Sequence, residues 1–276
     1  MPIDNNPLRQ YFRRPSIYIR LPSDGVGYRQ GVVDIPESGE LPIFPMTAID
    51  EITAKTPDAL YSGQAVVDVI KSCAPAIKDP WALNAVDLDA ILIAIRTATD
   101  GNNQEISSTC PKCEETNNYE INLIASLKDM DPKKYNEVLK IGELTIKFTP
   151  LTYKNLNDIN KQQFEVEKLF QQIDALENIE DKTKKTQELV LVVTKSAMGA
   201  LAQCIEYIES PNGTVDNKKF IAEFIENCDK QMFEDLKAFN LKLKQSTELK
   251  PMKMTCPACQ HSYEQPITLN MSDFFG

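Results

Sequence analysis

Two Cys-Pro-x-Cys segments have the residue types and spacing of a metal site. The first reads Thr-Cys-Pro-Lys-Cys over residues 109–113, and the second reads Thr-Cys-Pro-Ala-Cys over residues 255–259. A polar loop, a Tyr-Glu pair and a strand-like run follow each of them. Two Cys-x2-Cys turns supply four thiolates, which is the ligand set of a tetrahedral structural zinc site. The repeat therefore predicts one Zn²⁺ bound by four residues: Cys110, Cys113, Cys256 and Cys259.

The coordination chemistry of this site indicates a structural role. Four sulfur ligands close the tetrahedron, so no position is left for a reacting water molecule. A shared metal would also bring Cys113 and Cys256 together and return the long segment between them to its starting point. Two alternatives stay open: the cysteines hold no metal, or each pair forms a disulfide. His261, the only histidine, is either a further ligand, a hydrogen-bond donor to a ligand, or an exposed residue of the turn.

Outside the cysteine segments, the sequence contains no arrangement of residues that is typical of catalysis. A catalytic triad would have to use the single histidine, and the glycine-rich phosphate-binding fingerprints are missing. Asp87 and Asp89 would point about 200° apart on a helix, and Asp87 is better interpreted as a helix N-cap. The remaining cysteines lie on apolar faces and are interpreted as buried core residues: Cys73, Cys204 and Cys228. We therefore expect a protein that is not an enzyme.

Composition places the chain among ordinary globular proteins. Its 276 residues are 42% hydrophobic and 25% charged, as in typical soluble domains. No apolar run approaches the length of about 18 residues that a membrane span requires, so we expect no contact with a membrane. The amino terminus lacks the pattern of a secretory signal. Seven cysteines in such a chain favour a reducing compartment and metal binding over disulfides.

The first 29 residues differ in charge from the rest of the chain. They hold five of the six arginines and two aspartates, which gives this segment a charge of +3 within a chain of net charge −10. The remaining body is therefore −13, which argues against general nucleic-acid binding. The segment is either an arm that docks on an acidic protein or on another copy of the chain, or a solvated terminus. The docking interpretation rests on these residues: Arg9, Tyr11, Phe12, Arg13 and Arg14.

Periodicity predicts mostly helices outside the cysteine segments. Thr47 and Asp50 form a capping-box pattern at the start of the first helix. The clearest helix carries Leu88, Ile91 and Leu92 on one face. Helices are predicted over 48–55, 62–73, 87–97, 218–228 and 232–243, with a further helical stripe between 156 and 173.

The stretch between the cysteine segments combines hairpins with helices. Gly142-Glu143 separates two alternating runs, 138–141 and 144–148, and predicts a two-residue hairpin turn. We interpret Lys182 to Lys185 as a charged connector and Leu189 to Ala200 as a segment apolar enough to be buried. Strands are predicted over 16–21, 204–209, 119–123 and 267–269, the last two following the cysteine turns.

Together these elements predict an α+β fold that is mainly helical. It contains a split four-cysteine zinc ribbon, a helical insertion between the ribbon halves and an extended N-terminal arm. We divide the chain into four segments: 1–45, an arm with short strands; 46–127, a helical core that leads into the first cysteine turn; 128–247, a hairpin with the helical insertion; and 248–276, the second cysteine turn with the tail.

Four long segments carry a family resemblance. They begin at Gly39 (Gly-Glu-Leu-Pro-Ile-Phe-Pro-Met-Thr-Ala-Ile-Asp-Glu), Thr56 (Thr-Pro-Asp-Ala-Leu-Tyr-Ser-Gly-Gln-Ala), Val69 (Val-Ile-Lys-Ser-Cys-Ala-Pro) and Asp87 (Asp-Leu-Asp-Ala-Ile-Leu-Ile-Ala-Ile-Arg). With the first cysteine turn soon after, they resemble the baseplate hub protein family of T-even-like contractile-tailed bacteriophages. The match covers roughly residues 7–125, and the remainder agrees in general layout.

The resemblance implies a non-enzymatic structural subunit of the tail baseplate that assembles in the host cytoplasm with other baseplate proteins. Because the family also includes a protein of hub assembly, the alternative is a chaperone that is not retained in the virion. A second alternative is a zinc-ribbon protein that binds nucleic acid. Against it, the repeated segments set four glutamates against Lys112: Glu114, Glu115, Glu120 and Glu264.

Overall fold

A computed structural model describes residues 6–56, 61–126, 132–174 and 179–265. Helices and antiparallel sheets both contribute, so the fold belongs to the predicted α+β class. The chain divides into two compact units. The first unit comprises residues 1–80, 87–129 and 249–276, and the second comprises 81–86 and 130–248. Within the described ranges, no helix has both the length and the apolar character needed to cross a bilayer.

The first unit contains the short helices and a small sheet. The capping box predicted at Thr47 and Asp50 is present, with both reciprocal hydrogen bonds formed at the start of the helix Ala48–Ala54. Strands Ile17–Ile19 and Leu41–Ile43 pair antiparallel, which confirms the strand predicted near residue 16. Among the described residues, the other α-helices of the unit are Gln64–Cys73, Ala85–Asp100 (whose first two residues belong to the second unit) and Leu123–Ser126.

The helix Ala85–Asp100 supplies much of the core of the first unit. Five consecutive residues, Ile91 to Ile95, are fully buried, so the helix is surrounded on all sides at this level. The helix begins before Asp87, and the N-cap predicted at that residue is therefore wrong. Asp87 is instead a buried acceptor: it receives hydrogen bonds from the Ser23 N–H at 2.9 Å, from the Ser23 hydroxyl, and from the Tyr28 hydroxyl at 2.7 Å.

Two β-hairpins complete the first unit. The first cysteine hairpin pairs Gln104–Thr109 with Thr116–Ile121, and the second pairs Met252–Thr255 with Ser262–Gln265. The strands that follow the turns thus start earlier than the sequence suggested, and the strand predicted over 267–269 lies outside the described residues. A small apolar cluster joins both hairpins to the helix Ala85–Asp100: Ile93, Ile106, Ile121, Ile124, Leu249 and Met252.

A four-stranded antiparallel sheet forms the centre of the second unit. Its strands lie in chain order: Val138–Ile141, Leu144–Phe148, Ile205–Ser210 and Gly213–Val215. Ile141 pairs with Leu144 across Gly142-Glu143, which confirms the predicted two-residue turn. Helices Lys218–Asn227 and Lys230–Thr247 contribute Ile221, Ile225, Leu236 and Leu243 to the core over this sheet.

Two long helices, Tyr153–Asp174 and Ile179–Gln203, pack against each other in the second unit. We call them the first and second long helix. The charged connector predicted at 182–185 is wrong, because these residues lie inside the second long helix; lysine is a good helix former. The burial predicted for Leu189 to Ala200 is also wrong. Leu189 is buried, but Val190, Leu191, Val192 and Val193 are exposed.

Candidate metal centre and the arm

The two cysteine turns have the same backbone conformation. In each turn the first cysteine, Cys110 or Cys256, donates its N–H to the carbonyl five residues later and accepts a hydrogen bond from the N–H four residues later. All four of these N···O distances are 2.9 Å. The repetition seen in the sequence is therefore a repetition of structure.

A residue in the left-handed conformation follows the second cysteine of each turn. Glu114 has a φ of 59° and Gln260 a φ of 57°. This region is strained for residues other than glycine, asparagine and aspartate. It reverses the chain just after the cysteines, so that both sulfurs of a turn face the same side. The sequence analysis did not predict the left-handed conformation at these two positions. The available signal was that both residues directly follow the second cysteine of their turn.

The two turns bring the four predicted cysteines into one cluster. Their sulfur atoms all lie within 4.8 Å of one another. The shortest separations join the two hairpins: Cys110 Sγ lies 3.7 Å from Cys259 Sγ, and Cys113 Sγ lies 3.6 Å from Cys256 Sγ. A tetrahedron with Zn–S bonds of about 2.3 Å has edges of about 3.8 Å. The cluster thus has the dimensions of a four-thiolate metal site.

The backbone of the turns favours the charged form of two sulfurs. The Cys259 N–H, aided by the Ala258 N–H, lowers the pKa of the Cys256 thiol to about 7. Burial opposes the same effect at Cys110, but N–H groups of Cys113 and Lys112 still lower the pKa of that thiol. Metals bind thiolates, so N–H groups directed at these sulfurs prepare the cluster for a cation.

Hydrogen bonds between side chains hold the two hairpins together beside the cluster. The hydroxyl oxygens of Tyr119 and Tyr263, the tyrosines of the two Tyr-Glu pairs, lie 3.2 Å apart. Ser108, a buried residue, donates to Gln265 Oε1 at 2.7 Å and accepts from the Tyr263 hydroxyl at 3.0 Å. Asn117 Nδ2 lies 3.6 Å from Cys256 Sγ in the other hairpin. Sequence reasoning used the tyrosines only as evidence of repetition and missed these contacts.

His261 supports the second cysteine turn through its backbone more than through its side chain. Its carbonyl accepts the Cys256 N–H, and its ring stacks nearly parallel to Tyr263 with 6.4 Å between centroids. Over the described part of the chain, the ligand-type side chains close enough to share an ion are the four cysteines, without His261. Of the three cysteines expected in the core, Cys73 and Cys204 are buried and Cys228 is partly exposed.

The N-terminal arm is attached to its own chain at Arg13. Nη1 of this side chain donates to the Pro45 carbonyl at 2.5 Å and to Asp50 Oδ2 at 3.1 Å, and it lies 3.6 Å from Cys73 Sγ. Nη2 donates to the carbonyl and the hydroxyl of Ser72, at 2.9 and 2.6 Å. Arg13 is therefore engaged inside the first unit. Both terminal nitrogens of Arg13 thus donate to oxygen atoms of its own chain, whereas the docking interpretation places this residue against another chain.

The neighbours of Arg13 in the arm are exposed. Tyr11, 76% exposed, and Arg9, also exposed, lie in the 3-10 helix Pro7–Tyr11. Phe12, which follows this helix, is 57% exposed. Arg14 is also exposed, and its Nη2 donates to the Gln10 carbonyl at 3.3 Å. Two exposed aromatic rings beside two exposed guanidinium groups have the composition of an interface anchor.

Comparison with known families gives one finding. A family model described as "T4 bacteriophage base plate protein" matches residues 33–276. This match confirms the baseplate resemblance inferred from the segments between Gly39 and Arg96. The chain matches no curated protein and no solved structure at a significant level.

Proposed function

Since the chain belongs to the T4 bacteriophage base plate protein family, we propose that it is a structural, non-enzymatic hub subunit of a contractile-tail baseplate. The family match over residues 33–276 is the observation that carries this proposal. Membership of the family implies contacts with other baseplate proteins and a place in the virion tail. The subunit would join the baseplate in the host cytoplasm, through protein contacts and not through nucleic acid.

We further propose that the cysteine cluster is a split zinc ribbon that fixes the first unit. Zn²⁺ would be held by Cys110, Cys113, Cys256 and Cys259. The sulfur separations of 3.6 and 3.7 Å across the two turns support this ligand set, as do the backbone N–H groups directed at two of the sulfurs. With four thiolates bound, the ion would have no open position, so it would stabilise the fold and take no part in a reaction.

Elemental analysis tests the metal proposal. Protein purified without chelator should contain one zinc per chain, and this zinc should disappear in a variant that lacks Cys113 and Cys256. Metal-free protein with the same melting temperature as the freshly purified sample would contradict the proposal.

The hub role is tested by counting chains in the particle. Quantitative mass spectrometry of purified virions should find the chain at a fixed ratio to the other baseplate proteins. If the chain is required for assembly but missing from virions, the alternative of an assembly chaperone is correct.

We propose that the exposed part of the arm, not Arg13, contacts a neighbouring baseplate protein. Deleting residues 1–12 retains the Arg13 contacts and should block incorporation while the zinc content stays unchanged. Replacing Tyr11 and Phe12 by Ala should impair incorporation more than replacing Arg9 and Arg14 by Lys, because exposed ion pairs contribute little affinity. The opposite ranking would assign the anchor to the guanidinium groups.

A further inference from the structure

The second long helix is apolar on all sides over one stretch, yet solvent reaches most of that stretch. Val190, Leu191 and Val192 are 51%, 64% and 53% exposed, and among their apolar neighbours only Leu189 is buried. A helix that is apolar all round is normally covered by other elements, and contiguous exposed apolar surface marks an interaction site. Contacts within the chain therefore leave most of this apolar stretch uncovered.

One exposed stripe of this helix carries a charge at each end. Glu188, Leu191, Val192 and Lys195 are spaced i, i+3, i+4 and i+7, so they lie in line on one face. All four are exposed. The two apolar residues form the middle of the stripe, the acid lies three residues before them and the base three residues after them.

The apolar surface continues onto the first long helix. An open groove of about 620 Å³ runs between the two helices, and Val166 and Leu169 line it opposite Val192 and Lys195. Leu169 is itself exposed. A helix laid along the stripe would therefore also contact the first long helix.

We propose that a second copy of this chain packs against this stripe, with the two second long helices antiparallel. In this arrangement the two-fold axis passes between Leu191 and Val192, and the Glu188 of each copy lies opposite the Lys195 of the other. The same surface is then used twice, as in a closed two-fold interface. The stripe is its own complement, because its opposite charges stand at equal distances from its apolar centre. This charge pattern favours a second copy over an unrelated protein.

The first experiment measures self-association of the full chain by sedimentation equilibrium. The wild type should dimerise. Leu191→Glu should weaken dimerisation roughly a hundredfold or more, because two leucines leave the interface and two carboxylates enter it. Leu241→Glu is the matched control: this leucine is 54% exposed on another helix of the same unit, and its replacement should leave the dimer unchanged. A wild type that stays monomeric, or equal effects of both substitutions, would overturn the proposal.

The second experiment reads the antiparallel register from the charges. Glu188→Lys and Lys195→Glu should each weaken the dimer roughly tenfold, since two attractive pairs become repulsive. The double variant that exchanges both charges should recover wild-type association. In a parallel arrangement like charges would already face each other in the wild type, so neither single substitution would weaken the dimer, and that result would refute the register.

Incorporation into baseplates separates a second copy from another protein as the occupant. If the purified chain is monomeric but Leu191→Glu still blocks its incorporation, a different baseplate protein covers the stripe and the proposal is wrong. At a concentration where the wild type is monomeric, the thermal unfolding of all variants should match that of the wild type, because every substituted side chain is exposed and association no longer stabilises the fold.

Discussion

The two cysteine hairpins face each other, and so do the two long helices. The two pairs differ in how far contacts within the chain cover their side chains. In the hairpins, polar groups meet inside the chain: sulfur lies against sulfur, and Tyr119 meets Tyr263. In the long helices, apolar side chains from Val190 to Val193 remain exposed. We call the hairpins the closed region, because their contacts with each other lie within the chain, and the long helices the open region, because apolar side chains stay exposed there. Directional groups at fixed spacing hold the closed region together, whereas apolar content alone does not cover the open region.

Two helical segments show the same contrast within one type of element. Ile91 to Ile95 and Val190 to Val193 are both continuous apolar runs in long helices. The first run is fully buried, while each residue of the second is at least 37% exposed. Local sequence is nearly equivalent in the two places, so the difference comes from how many neighbouring elements the rest of the chain supplies.

The largest expected effect concerns the closed region. Cys113→Ser or Cys256→Ser should abolish zinc binding and lower the free energy of unfolding by roughly 4 kcal/mol or more, since the binding energy of a structural metal is folding energy. Zinc content and thermal unfolding measure this. Cys228→Ser, a cysteine outside the cluster, is the matched control and should keep the zinc. Equal unfolding curves for all three variants would mean that the hairpins close without a metal.

A pair of leucines tests the open region. Leu243 is fully buried and Leu191 is largely exposed, although both lie on helices of the second unit. Leu243→Ala should lower the free energy of unfolding by about 3 kcal/mol, through lost transfer energy and a cavity. Leu191→Ala should change it by less than about 0.5 kcal/mol, measured by urea unfolding at a concentration where the chain is monomeric. Similar losses at both positions would show that the second long helix is covered within its own chain.

What the sequence predicts well in this chain is what spacing determines. The capping box at Thr47, the turn at Gly142-Glu143 and the assembly of four cysteines from two turns all follow from short-range patterns. The contact between Ser108 and Gln265 joins residues 157 positions apart, and the composition of the arm gave no sign that Arg13 would reach Ser72. Such contacts depend on the arrangement of whole elements, as does the burial misjudged at Leu189 to Ala200.

The arm contains both kinds of region in neighbouring residues, closed at Arg13 and open at Phe12 and Arg14. Arg13→Lys should lower the free energy of unfolding by about 2 kcal/mol, because an ammonium group cannot reach all the oxygen atoms that the guanidinium group bonds. Arg14→Lys is the matched control and should stay within about 0.5 kcal/mol of the wild type. Equal effects in chemical denaturation would mean that the arm is not attached at Arg13.

Acid should weaken the same attachment through Asp50. Burial alone would raise the pKa of this carboxyl, but hydrogen bonds from Thr47 and Ser72 and the charge of Arg13 lower it. The folded pKa therefore lies below the unfolded value of about 3.9, so the stabilisation is complete above that value and is lost as pH falls through the folded pKa. The stability difference between the wild type and Asp50→Asn should be constant above about pH 5 and shrink below about pH 4. A difference that does not change with pH would exclude the charged form as its source.

The smallest effects concern glycine, which should be favourable at position 260 of the second cysteine hairpin and unfavourable at position 199 of the second long helix. Gln260→Gly should stabilise the second cysteine hairpin by about 0.5–1 kcal/mol, because the left-handed conformation strains glutamine and not glycine. In the same turn, Ala258→Gly should destabilise the hairpin by a similar amount, since position 258 has no positive φ that glycine could relieve.

In the second long helix, glycine should be the less stable residue. A Cβ added at Gly199 would meet no atom within 4 Å, so Gly199→Ala should stabilise the helix by about 1 kcal/mol through helix propensity. Zinc-saturated protein at a monomeric concentration is required for all three measurements, so that neither metal loss nor association enters the comparison. A destabilising Gln260→Gly would mean that the side chain of Gln260 supports the turn by a contact that outweighs its backbone strain. A destabilising Gly199→Ala would mean that the groove between the long helices already closes on this position in the isolated chain, and the contrast between the closed and the open region would then fail at its open end.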